Sequence, residues 1–210
     1  MDRPLLAVAS PDEIRETTVV GVCASLKPAP GIERKSATRG LLQYSLVSLA
    51  SIYPDVSVLD LRDHIPPQFD GRLPSDHPDE TLRFLFGCIK QARALLFAIP
   101  AYWSGVSGVF KNFVDVLCGP VYDKLSDSQT VFSGKLVGVI VVGADELSAR
   151  LGAEQSQHIF ESCGAILIAP PVVFGNLENE GITRSNVALL PGLAATLARG
   201  LHPEIHADTF

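Results

Sequence analysis

Apolar, β-branched runs alternating with segments of helical period predict an open parallel α/β sheet with helices on both faces. Three observations carry this. Five runs are strand-like, the first apolar on both faces as a strand sandwiched between helix layers must be and the second alternating; amphipathic segments separate and follow them; and there is no repeat or low-complexity tract. The chain has 210 residues, 47% of them hydrophobic and 19% charged, which suits one well-packed domain and excludes a disordered chain. Residues 17–200 are read as that domain, with 1–16 as an N-terminal tail or arm and 201–210 as a C-terminal tail.

Thr17 to Cys23 reads as a central strand, and Ser36 to Ile52 as a helix with Leu41, Leu42, Leu46 and Leu49 at helical spacings. Val56 to Asp60 is a second strand, and Pro78 to Gln91 a helix striped by Leu82, Leu85, Phe86 and Ile89. Ala94 to Ile99 is a third strand ended by Pro100, followed by a helix over Gly105 to Leu117. Leu136 to Val142 is a fourth strand, Glu146 to Cys163 a helix, and Ala165 to Ala169 the fifth strand. A last helix is expected over Asn186 to Ala198, bent at Pro191 or beginning there. The common winding for five such units has strand order 2-1-3-4-5.

Composition narrows the function. The 17 Lys+Arg against 23 Asp+Glu give a net charge of −6, the wrong sign for holding nucleic acid or an acidic membrane surface. No apolar run approaches the ~18 residues of a membrane span. Ala7-Val8-Ala9 resembles a signal-peptidase site, but the apolar stretch before it is too short for a leader. Cys23, Cys88, Cys118 and Cys163 are widely spaced, without metal-type clustering, which fits a reducing, cytoplasmic setting.

In sheets of this class, ligands bind at the carboxyl ends of the strands, beside the point where the winding reverses. The loop after Cys23 gathers Lys27, Arg34, Lys35 and Arg39 against Glu33, and it places Ser36 and Thr38 where the next helix begins. Free N–H groups and the positive end of a helix dipole make that an anion site, with phosphate the natural guest. The plainer alternative is a helix cap beneath a solvated basic loop. Neither G-x-G-x-x-G nor G-x-x-x-x-G-K-[ST] is present, which argues against a dinucleotide or P-loop enzyme. A receiver domain would need Asp where Pro100 stands.

The loop Pro100-Ala101-Tyr102-Trp103-Ser104-Gly105 adds two aromatic rings at the same edge. Ala24-Ser25-Leu26-Lys27, then Ser36-x-Thr38, then Pro100-x-Tyr102 leading to Gly108-x-Phe110-Lys111-Asn112-x-x-Asp115, resembles the NAD(P)H-dependent FMN reductase family of the flavodoxin-like fold. The resemblance runs from about Thr17 to Phe174; Ala24 stands for the family's glycine, Thr38 for its asparagine, and the first loop is longer. It implies that Ser25, Lys27, Ser36, Ala37 and Thr38 hold the FMN phosphate. It also implies that Pro100, Ala101, Tyr102, Trp103 and Ser104 lie along the isoalloxazine, while Gly143, Ala144 and Asp145 close over its other side.

The implied chemistry is hydride transfer from NAD(P)H through FMN to a small acceptor such as free flavin, a quinone or an azo compound. It is carried by the cofactor, so no catalytic side chain and no metal are assigned. A homodimer or homotetramer is implied, because this family usually completes its flavin pocket across subunits. Two other readings stay open: a flavin-dependent enzyme for one dedicated metabolite, and a non-catalytic electron carrier, although the carrier's [ST]-x-T-G-x-T loop is absent. Gly105-Val106-Ser107-Gly108-Val109 lacks the final glycine of a nucleophile elbow. Lys111 and Asp115 read as a helix-supporting pair, and His64, His77 and His158 as isolated. His202 and His206 read as part of a solvated tail, and the long segments Arg62–His77 and Gly119–Ser133 as places for partner or substrate contacts.

Overall fold

The computed structural model describes residues 19–27, 36–53, 55–119, 129–177 and 180–201. The expected N-terminal tail, the expected C-terminal tail beyond Leu201, the basic residues Arg34 and Lys35, and the pair His202 and His206 lie outside them. Strand β1 (Val19–Cys23) sits between β2 (Val56–Asp60) and β3 (Ala94–Tyr102), all parallel, and β3 continues the sheet to β5 (Leu136–Val142). The winding therefore reverses between β1 and β3, as the expected order requires. The fifth position is shared by β6 (Ile166–Leu167) and β7 (Val172–Phe174), both parallel to β5. The sequence suggests one strand over Ala165 to Ala169; the structure keeps Ile166–Leu167 of it and adds Val172–Phe174 beyond Pro170-Pro171, neither of which can donate a ladder hydrogen bond.

Strand β3 runs through Pro100, where the sequence suggests it stops. The Ala98 carbonyl accepts from Ala24 N–H, so Pro100, two residues on, faces the same side, beyond the end of β1. Its missing N–H is not needed there. The chain instead turns back as the short antiparallel strand β4 (Gly105–Val106), making a hairpin with Trp103 and Ser104 at its tip.

Helices α1 (Ala37–Ala50) and α6 (Leu190–Leu201) cover one face; α2 (Glu80–Gln91), α3 (Gly108–Cys118) and α4 (Glu146–Ser162) cover the other. Alternate residues of β1 serve the two cores: Val20 and Val22 join one, Val19 and Cys23 the other. A methyl at Gly21 would run into the Leu46 side chain, so glycine here leaves room for α1 to pack closely on β1. Around Phe97, in the α2–α4 core, stand Phe110, Phe113, Phe132 and Phe160, with ring centroids 4.8–6.2 Å away. Helix α5 (Glu180–Val187) is not anticipated by the sequence reading, since Gly181, Ile182 and Thr183 are weak helix formers. Pro191 falls in the first turn of α6, where a proline costs nothing.

Candidate functional site

Loops after β1, β3 and β5 meet the carboxyl edge of the sheet, and a helix begins after each. The helix caps differ in a way that selects one of them for an anion. Asp79 caps α2 through Leu82 N–H at 2.9 Å, and Asp145 caps α4 through the N–H and hydroxyl of Ser148, both at 2.8 Å. A carboxylate at either place repels a phosphate. Ser107 caps α3, but its hydroxyl donates to the Ala24 carbonyl at 3.1 Å, stitching α3 to the end of β1. Ser36, the cap of α1, accepts from Arg39 N–H and donates to another hydroxyl, Ser25 Oγ, at 3.0 Å.

Ser25 Oγ also faces the Lys27 N–H, at 3.4 Å. The N–H groups of Ala37 and Thr38, in the first turn of α1, have no acceptor within the helix. Ser25, Ser36 and Thr38 are buried, while Lys27 is exposed. These residues, named from the sequence, are thus brought together at one helix N-terminus whose donor set suits a phosphate.

Arg39 departs from the expected basic patch. Its guanidinium turns beneath the loop, pairs with Asp60 at the end of β2, and donates to the carbonyls of Lys27 (3.2 Å) and Ser25 (3.3 Å). The Asp60 carboxylate also accepts from Arg62 N–H at 3.0 Å. Donating to the Asp60 carboxylate raises the Arg39 pKa further, and the role of this guanidinium is to shape the loop rather than to meet an anion. Cys23, beside it, is pushed up to about 11 by burial and by Asp60, which keeps it a neutral thiol.

At the hairpin, Trp103 (φ 52°) and Ser104 (φ 64°) both adopt left-handed backbone, the pair of conformations a two-residue hairpin turn needs. Neither is the Asn or Gly that such a turn favours, so the tip holds its aromatic residue at some conformational cost. Trp103 is 99% exposed. Tyr102 leans toward the first loop: burial raises its phenol pKa, with the Ser25 hydroxyl acting the other way. Gln155 of α4 accepts from Val106 N–H at 2.9 Å and so fixes the returning strand. Ala101 is buried under Gly152.

The third loop is tightly built. A methyl at Gly143 would come 2.7 Å from Ala149 N, so α4 could not start so close to β5 with any other residue there. Ala144 and Asp145 are exposed, and the Asp145 carboxylate, committed to Ser148, is held below its ordinary pKa by those bonds. Asn112 is not at this edge; it clamps the segment after β2 by donating to Pro67 O (2.8 Å) and accepting from Phe69 N–H (3.0 Å). Lys111 and Asp115 pair along α3 as the spacing suggests. His77 is not isolated: it is buried, accepts from Asp79 N–H at 3.1 Å, and faces Asp70 at 3.6 Å. Among the described residues no group of three His, Cys, Asp or Glu is placed to hold a metal, and no helix is long and apolar enough to cross a membrane.

Residues 17–179 match the family model described as NADPH-dependent FMN reductase. Over 79 residues the chain is 35% identical to YwqN of Bacillus subtilis, assigned as an NAD(P)H-dependent FMN-containing oxidoreductase; the match covers 36% of this chain and 44% of that protein. The fold resembles the apo form of the NADH:FMN oxidoreductase EMOB, with a TM-score of 0.66 at 17% identity over 90% of this chain and 91% of that one. It also resembles FerB of Paracoccus denitrificans, an NAD(P)H:acceptor oxidoreductase, with a TM-score of 0.63 at 20% identity over 87% and 97%.

Proposed function

The chain belongs to the NADPH-dependent FMN reductase family, and from that premise we propose that it is an FMN-dependent oxidoreductase that draws a hydride from NAD(P)H and delivers it to a small acceptor. The observation that carries this reading is the cap of α1. Its hydroxyl pair, Ser36 and Ser25, is free of the carboxylate or carbonyl commitments of the other capped helices and sits beside a hairpin of aromatic residues and backbone. Ser25, Lys27, Ser36, Ala37 and Thr38 hold the FMN phosphate, with Arg39 and Asp60 fixing the loop behind them. Bound FMN supplies the redox chemistry by accepting and passing on two electrons.

The chain's own task is to orient rings and exclude water. Backbone from Pro100 to Ser104 lies along the isoalloxazine, Tyr102 and Trp103 wall it, and Gly143 to Asp145 close the far side. Four large apolar side chains are exposed on the three loops or just beyond them: Leu26, Tyr102, Trp103 and Leu147. Apolar surface around a site that must exclude water supports a homodimer or homotetramer in which a second copy covers it. The protein acts in the cytoplasm, and its acceptor is a planar oxidant such as a free flavin, a quinone or an azo compound.

The test is an absorbance titration with FMN, followed anaerobically by NADH and then NADPH. Saturable perturbation of the oxidised bands and their bleaching by a nucleotide are expected. Binding without bleaching would remove the reductase, and absence of binding would remove the flavin.

A further inference from the structure

Helices α3 and α4 lie side by side on one face of the sheet, with Phe110 and Phe160 in ring contact at 5.6 Å, and they flank a groove of about 920 Å³. Two of the four cysteines line it: Cys118, the last residue of α3, and Cys163, the C-cap of α4. Each is more than nine-tenths buried, and both belong to the same buried core cluster, at the ends of these neighbouring helices. Thr130 braces the site: its hydroxyl donates to the Cys163 carbonyl at 2.5 Å. The Lys111–Asp115 pair lines the same groove. Cys23 and Cys88 do not line it; both are fully enclosed.

We propose that Cys118 and Cys163 form a modification site of this protein, a dithiol that hydrogen peroxide entering the groove converts to a disulfide. Cys163 attacks first. Contact with Cys118 lowers its pKa against the effect of burial, and Lys111 acts in the same direction while Asp115 opposes it. The same contact, with burial, keeps the Cys118 proton in place. The Cys163 sulfur attacks one peroxide oxygen, the O–O bond breaks, and the released hydroxide takes the Cys163 proton as water, leaving a sulfenic acid. The Cys118 sulfur then attacks the Cys163 sulfur; the S–S bond forms, the S–O bond breaks, and the hydroxyl leaves with the Cys118 proton as a second water. Two thiols lose two electrons and one peroxide gains them. The bond ties the end of α3 to the end of α4 across the groove.

The experiment treats reduced full-length protein with hydrogen peroxide and maps its peptides by mass spectrometry without reductant. The expected product is one species lighter by the two hydrogens of a disulfide, joining the peptides of Cys118 and Cys163 and restored by dithiothreitol. In Cys118→Ser the sulfenic acid has no partner and is trapped on Cys163 by dimedone. Free Cys118 and Cys163 after treatment, a bond through Cys23 or Cys88, or a bond between two chains would each overturn the proposal. The wild-type map decides the question even if the variant folds poorly.

Discussion

The two ends of the proposed flavin site are built by opposite means. At the phosphate end, polar groups are tied down: Ser25 and Ser36 hold each other, and Arg39 grips two loop carbonyls while paired to Asp60. At the ring end, a two-residue turn in left-handed backbone carries a fully exposed tryptophan. The contrast teaches where specificity resides. A phosphate needs donors already in place, whereas a planar ring needs apolar area that a nucleotide, an acceptor or a second subunit can share.

The largest effect on this contrast is expected from Arg39→Leu. It leaves Asp60 unpaired in a site where the two side chains are only 11% and 13% exposed, a loss of about 3–5 kcal/mol. Urea denaturation measures that loss, and FMN titration of the folded fraction is expected to show no binding. Arg39→Lys restores the charge but not the fork that reaches both carbonyls, so stability recovers further than FMN affinity does.

Next come Lys27→Ala and Ser36→Ala. Each removes a group set against a doubly charged phosphate, so FMN binding falls by roughly tenfold to a hundredfold. Lys27 is exposed, so its loss leaves the melting temperature of the FMN-free protein unchanged. Ser36 also caps α1, and its alanine variant costs about 1 kcal/mol of stability. Equal losses of affinity and stability in both variants would make the pair structural.

That division also bounds what the sequence can reveal. Ser25, Ser36 and the Pro100–Ser104 loop are legible because each follows or precedes a clear periodic segment at the carboxyl edge. The Arg39–Asp60 pair is not legible: its partners lie 21 residues apart, and only the register that sets Cys23 against Asp60 brings that carboxylate under the first loop. Counting Arg39 among the phosphate's cations follows from reading charge without direction. The hairpin is hidden for a related reason, because a proline signals a strand end unless its nitrogen faces beyond the neighbouring strand. The split fifth position and α5 depend on tertiary packing that local propensity does not report.

The ring end can be sharpened by relieving its turn. Trp103→Asn with Ser104→Gly supplies the residues that such a turn prefers and is expected to stabilise the FMN-free protein by about 1–2 kcal/mol. The same change is expected to raise the KM for the acceptor, because the exposed aromatic wall is gone. A gain in stability with unchanged kinetics would remove Trp103 from the site.

The smallest effect concerns the third loop. The Asp145 carboxyl has a lowered pKa in the folded state, so its capping contribution is complete above the unfolded carboxyl's ordinary value near 3.8 and is lost as pH falls through the folded value. Asp145→Asn is expected to flatten the melting-temperature profile in that acidic window and to change nothing at neutral pH beyond a small loss of cap strength. Parallel profiles for the two proteins would place the acid sensitivity elsewhere.

The central claim is that the N-terminus of α1 receives the phosphate. The most direct test compares FMN with riboflavin, which lacks that phosphate, in wild type and in Ser36→Gly, a variant that keeps most of the cap but loses the hydroxyl. Ser36→Gly is expected to lower FMN affinity by about tenfold or more and to leave riboflavin affinity unchanged. An equal loss for both flavins, or no loss for either, would contradict it.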